Sequence, residues 1–237
     1  MRPVVRGARP ADGEGNDIQF TEYPQARPEL IRRMGEYCSY CEMELDSSLS
    51  VEHKRPINPP GAETENLERK FDWNNFLLAC VNCNSTKGDA EVQLDDYFWP
   101  DSENTFRAFR YSEGGLIEPA PELDNDLRLK AQKTIELTGL HKQPLNNPTA
   151  SDRRWRNRRE AWDIAQRSKQ NLAQCNTSLM KDQIIDTAEA KGYWSVWMTV
   201  FEDNPDMKRR LIGAFPGTCS ECFDSEGNPV ARPGGQC

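Results

Sequence analysis

A chain of 237 residues with 36% hydrophobic side chains is long enough for one large domain or two small ones around a packed core. Its formal charge of −8 argues against a general nucleic-acid coat protein, whose phosphate binding rests on Lys and Arg displacing counterions. No window approaches the roughly eighteen uninterrupted apolar residues of a membrane span, and the start, Met1-Arg2-Pro3-Val4-Val5-Arg6, lacks the apolar stretch of a signal peptide, so a cytoplasmic protein without a membrane partner is expected.

Taken in chain order, residues 1–27 are rich in Gly, Pro and charge and are expected to form an arm with little core pattern. Pro28 opens a helix through Ile31 and Met34 toward Tyr37. Ser48 to Glu52 alternates, with Leu49 and Val51 on one side, as a half-buried strand does, and His53 falls at its end. Lys54 to Lys70 holds three prolines and a glycine and reads as a long loop; Trp73 to Leu78 returns as an apolar stretch, and a helical turn after Cys83 stops at Gly88. Leu94–Trp99 and Phe106–Tyr111 read as aromatic-rich strand or packing segments, with a turn at Gly114-Gly115. Helices follow over Leu123–Leu140, from a Ser151 cap to about Gln174, over Ser178–Lys191 and around Trp194–Phe201. The expected class is α+β. It divides into an arm (1–27), a small metal-stapled unit (28–120), a mainly helical part that meets a partner or nucleic acid (121–214) and an irregular tail (215–237).

Cys38/Cys41 and Cys80/Cys83 are the most informative residues. In a reducing compartment two Cys-x-x-Cys knuckles favour a tetrahedral zinc site over disulfides, because each short spacer presents two thiolates from one turn. Zinc would compensate for the small core of the unit it closes. A third pair, Cys219/Cys222, with Cys175 and Cys237 as further thiols, reads more simply as reduced cysteine than as a second metal site. The knuckles bracket Glu52-His53, and the second runs into Asn84 and Lys87. Carboxylate and carboxamide oxygens suit a hard cation such as Mg²⁺ or Mn²⁺, and imidazole is the natural proton acceptor near neutral pH. Adjacent strand residues point in opposite directions, which divides labour between Glu52 as ligand and His53 as base. Arg153, Arg154, Arg156, Arg158, Arg159, Arg167 and Lys169 crowd one segment, either as a locally basic face or as a solvated, salt-bridged helix face.

Four stretches, Tyr37–Glu42, Val51–Pro56, Trp73–Cys80 and Val81–Gly88, together resemble the HNH endonuclease family, whose ββα-metal fold wraps a hairpin and helix around one catalytic cation. The resemblance runs from Glu36 to Gly88 and implies roles residue by residue. Glu52 is a metal ligand, His53 the general base, Asn75 the residue that orients the base (with Asn74 its less fitting neighbour), Asn84 the second ligand of the divalent ion, and Lys87 a basic residue that meets phosphate. Many HNH enzymes carry Asp-His where this chain has Glu-His, a difference read as subgroup character. The whole-chain layout also resembles the HNH nuclease component of Septu-type and retron-associated anti-phage systems, which implies an ATPase or other sensor partner and a nucleic-acid substrate, DNA favoured over RNA. The competing class is a zinc-knuckle module that binds nucleic acid or protein without cutting; it would have no need of Glu52-His53 and Asn84 together.

Overall fold

The computed structural model describes residues 1–45, 47–143 and 152–237; the expected Ser151 cap lies outside them. The architecture is α+β, a small sheet-containing N-terminal region followed by a mostly helical half. A 3₁₀ turn at Tyr23–Ala26 runs into α1 (Arg27–Met34), where Pro28 occupies the first turn. Gly35, at φ 76°, ends α1 before Tyr37, shorter than the pattern suggested.

Strands β1 (Ser50–His53) and β2 (Phe76–Ala79) form an antiparallel hairpin in which Glu52 faces Leu77 and His53 faces Phe76. The long connection contains α2 (Leu67–Phe71), capped by the Asn66 side chain. Directly after β2, α3 (Val81–Lys87) starts on Cys80, whose sulfur accepts from the Cys83 amide, and stops at Gly88. Hairpin and helix thus stack as a β-β-α unit. Leu49 and Val51 are buried as expected, yet Glu52 and His53 are buried too. The alternation of β1 does not mark a solvent face, because packing covers both sides of the hairpin.

The second hairpin, β3 (Phe109–Ser112) and β4 (Leu116–Pro119), turns at Gly114-Gly115; of the stretch expected as strand or packing segment, Phe106–Ala108 falls in a short helix, α4 (Thr105–Ala108), and Phe109–Tyr111 in β3. Asp124 caps α5 (Asn125–Thr138), and Gly139 closes it in the left-handed conformation. Then come α6 (Arg154–Gln174), α7 (Ser178–Lys191), α8 (Trp194–Val200) and α9 (Pro205–Ala214). Asn204 and Pro205 start α9 with a cap and an N-terminal proline, a signal the helical periodicity alone had not exposed.

Residues 1–6 are not a free arm. Met1 and Val4 are buried in the main core with Phe76, Leu77 and Phe98, and the Arg2 guanidinium donates to Met34 O at 2.6 Å and Pro216 O at 2.6 Å. Val4 also bridges Thr218, so the irregular tail packs against the start of the chain. Polar composition misled here because the few apolar residues do the packing while arginine satisfies buried carbonyls. A second apolar cluster gathers Trp194, Trp197, Phe201, Leu211 and Phe215, and Trp162 of α6 touches both clusters.

The helical half meets the first knuckle at Glu42, which has a left-handed φ of 66°. Its carbonyl accepts from Tyr193 N at 2.8 Å, and its carboxylate accepts from the Ser195 amide at 2.9 Å and hydroxyl at 2.5 Å. Gly192, at φ 72° and ψ −154°, lies so close that a Cβ there would sit 2.5 Å from Glu42 O. Gly192→Ala is expected to lower the unfolding free energy by about 1–3 kcal/mol, from backbone conformation alone, with the clash adding to it; urea denaturation of the two proteins measures the difference.

Candidate metal centre and hydrolytic site

The β-β-α unit brings the two knuckles together. The sulfurs of Cys38, Cys41, Cys80 and Cys83 all lie within 4.8 Å of one another and all four residues are buried. Cys41 Sγ is 3.7 Å from Cys80 Sγ, close to the roughly 3.8 Å edge of a tetrahedron of sulfurs placed about 2.3 Å from zinc. Without a cation the charges resist one another. The Cys80 thiol is pushed far below its ordinary value by hydrogen bonds from Cys38, Cys41 and Cys83, while Cys41 and Cys83 are pushed well above theirs. Four thiolates in this volume therefore need a metal to share them, and the donor set fits zinc. Among the described residues the tail cysteines form no comparable group: Cys219, Cys222 and Cys237 are buried and Cys175 is exposed.

The segment of clustered arginines is not one basic face. Arg154 and Arg158 are buried, while Arg156 pairs with Glu160 on the surface of α6. Arg154 reaches the metal centre itself, with Nη1 2.9 Å from Cys83 Sγ. Burial opposes its charge, but Asp152 and the thiols Cys83 and Cys41 outweigh that and hold the guanidinium protonated.

Glu52 and His53 leave β1 on opposite sides. The Glu52 carboxylate accepts from the Tyr40 hydroxyl at 3.4 Å and lies 3.0 Å from Lys87 Nζ. Burial pushes the Glu52 carboxyl up from its ordinary range, and Lys87 offsets this only in part. Lys87 is itself buried and also donates to His53 O at 2.7 Å, so its ammonium braces the strand from inside and does not stand at the surface where phosphate would meet it. Asn84 is half-buried one turn earlier on α3, on the helix face that Lys87 extends toward Glu52.

His53 packs edge-on against Tyr23 and Phe76, with ring centroids 4.8 and 5.2 Å away, and its Nε2 is 3.2 Å from Lys70 O. A carbonyl only accepts, so Nε2 carries the proton and Nδ1 keeps a free lone pair. Burial pushes the imidazole below its ordinary value, against the opposing pull of the Lys70 carbonyl, and so keeps it neutral. Asn75 holds the surrounding loop: its amide donates to Arg55 O (2.9 Å) and Arg69 O (3.0 Å), and its oxygen accepts from Arg55 N (2.7 Å). Asn74 instead is exposed and accepts from Arg6.

Tyr23, Tyr40 and the Lys70 carbonyl belong to this constellation and were not singled out from sequence. Lys54 and Asp101 were missed as well: Lys54 Nζ is 2.7 Å from Asp101, which also pairs with Arg6. Burial alone would raise the Asp101 carboxyl, and the two cations outweigh it and hold it below its ordinary value. No local motif announces a triad drawn from three distant segments.

Residues 38–90 match the HNH endonuclease family, the stretch that carries both knuckles, the Glu52-His53 strand and α3. The matched domain supports a metal-dependent nuclease that acts on nucleic acid, and the cysteine cluster supports zinc binding. No curated protein matches the chain. Among the described residues no helix is long and apolar enough to cross a membrane.

Replacing Cys38 or Cys80 by Ser is expected to abolish stoichiometric zinc in metal analysis and to raise the rate of limited proteolysis within residues 38–90, because metal binding closes a unit with little core of its own. Retained zinc and unchanged protease resistance would contradict a structural tetrathiolate.

Proposed function

We propose that the chain is a metal-dependent HNH endonuclease that hydrolyses phosphodiester bonds, with DNA favoured over RNA. The observation that carries the reading is the state of His53: a buried imidazole whose Nε2 proton is committed to Lys70 O, leaving Nδ1 to take a proton from water. That water attacks phosphorus as the bond to the leaving oxygen breaks. Asn75 acts on the base through the backbone, tying residue 69, next to the Lys70 carbonyl, to residue 55. His53 is thereby oriented from the short helix α2, whose position Asn75 ties to residue 55 after the strand.

Glu52 and Asn84 would hold a divalent ion, Mg²⁺ or Mn²⁺, which when bound supplies positive charge to the scissile phosphate and the leaving oxygen. Lys87 already neutralises the buried Glu52 carboxylate. It serves as the local counter-charge that opposes the effect of burial on this carboxyl and holds it in place before substrate arrives. The acidic chain repels a phosphate backbone, which supports activity gated by a partner. The resemblance of its layout to the HNH component of Septu-type and retron-associated systems supports an anti-phage effector working beside an ATPase or other sensor in the cytoplasm.

Cleavage of supercoiled plasmid, linear DNA and total RNA, each with Mg²⁺, Mn²⁺ or EDTA, tests the activity and its substrate. His53→Ala is expected to remove cutting while zinc content and fold stay intact; cutting at the wild-type rate would refute the base assignment. Asn75→Ala is expected to lower kcat by about 10²-fold with little change in KM, as misplacement of a catalytic group does. An unchanged kcat would remove Asn75 from the positioning of His53.

A further inference from the structure

Arg154 lies outside the matched segment, in the first turn of α6, and is 2% exposed. Its planar guanidinium distributes donors to three places. Nη1 donates to Cys83 Sγ at 2.9 Å and to Thr138 O at 2.7 Å; Nη2 donates to Gly139 O at 3.2 Å; Nε and Nη2 meet the Asp152 carboxylate. Thr138 and Gly139 are the C-terminal end of α5, where the helix dipole favours a cation. One side chain therefore joins a metal-binding sulfur, the end of α5 and the start of α6.

The electrostatics give this contact a purpose. Four thiolates around Zn²⁺ carry a net charge of about −2, and a buried anion is costly unless it is paired and hydrogen-bonded. A backbone amide such as Cys83 N, 3.4 Å from Cys80 Sγ, supplies only a partial charge. Arg154 supplies a full one, in a form that five fixed donors hold in place and that Lys does not reproduce.

We propose that Arg154 is a positioning residue of the zinc centre, holding the Cys83 thiolate and so linking retention of the metal in the β-β-α unit to the docking of α6. This rests on the tetrathiolate reading. Asp152 keeps the guanidinium turned toward the sulfur by occupying its far edge. Zinc and the helical half then stabilise one another: loss of the metal frees a charged arginine inside the protein, and loss of the arginine leaves a thiolate without its counter-charge.

The test compares full-length wild type, Arg154→Met, Arg154→Lys and Arg158→Met. Arg158 is an equally buried arginine one turn along α6, but it donates to Gly115 O and Leu140 O and not to sulfur, so it controls for general loosening. Zinc release to a chromogenic chelator is followed under native conditions. Arg154→Met is expected to release zinc about 10-fold faster or more, Arg154→Lys to fall between it and wild type, and Arg158→Met to match wild type. After cobalt substitution, the sulfur-to-metal charge-transfer band should move to longer wavelength in Arg154→Met, because the sulfur lone pairs lose a stabilising positive charge. Wild-type release from Arg154→Met, equal acceleration by Arg158→Met, or an unmoved cobalt band would overturn the proposal. Should Arg154→Met not fold, Arg154→Lys carries the same readings, and a wild-type rate with an unmoved band overturns it there. A wild-type protein that holds no zinc would instead overturn the tetrathiolate itself, so the two failures are told apart.

Discussion

Four buried thiols cannot all ionise in one small volume unless a cation shares them, and most of the N-terminal structure is arranged around that constraint. The knuckle at Cys38/Cys41 and the start of α3 at Cys80/Cys83 come from either side of the β1–β2 hairpin, and their sulfurs meet within 4.8 Å. Closing them fixes the hairpin, and the hairpin fixes Glu52 and His53. The helices depend on the same centre from the other side. Glu42, immediately after Cys41, accepts from Ser195 of α8, while Arg154 of α6 reaches Cys83. The metal centre is thus a junction between the two halves of the chain.

The candidate hydrolytic site follows from a strand covered on both faces. Glu52 points toward Tyr40 and Lys87; His53 points toward Tyr23, Phe76 and the Lys70 carbonyl. Burial has opposite uses on the two sides. It keeps the imidazole neutral and able to accept a proton, and it makes the carboxylate depend on a paired cation, which Lys87 supplies. The strand end is held in turn by Lys54, whose ammonium meets Asp101 beside Arg6. A segment near the start of the chain therefore braces the residue next to His53, although its composition resembles a solvated arm.

Much of this was legible residue by residue. Cys-x-x-Cys spacing is a local property, since two thiolates three positions apart come from one turn whatever surrounds them, and Glu52-His53, Asn75 and Asn84 stand at recognisable distances from the knuckles. Helices α5, α7 and α8 were legible because helical spacing and a stop such as Gly139 act within a few residues. Less could be read where one residue type serves two ends. Arg154 and Arg158 resemble their exposed neighbours in sequence, and which arginines turn inward depends on where α5 ends and where the β3–β4 turn passes. Lys87 was expected at phosphate for the same reason: a lysine's partner is set by what lies at the end of a long, flexible side chain.

Local chemistry marked the candidate ligands, the candidate base and the bounds of α5, α7 and α8, because spacing, capping and backbone conformation operate over a turn or two of chain. The direction of Lys87, the inward turn of Arg154, the burial of Met1 and Val4, and the loop that seats His53 against Lys70 depended on the assembled fold. Each joins segments far apart in sequence, and the energy that selects it, pairing a charge or filling a space removed from water, exists only once those segments have packed together.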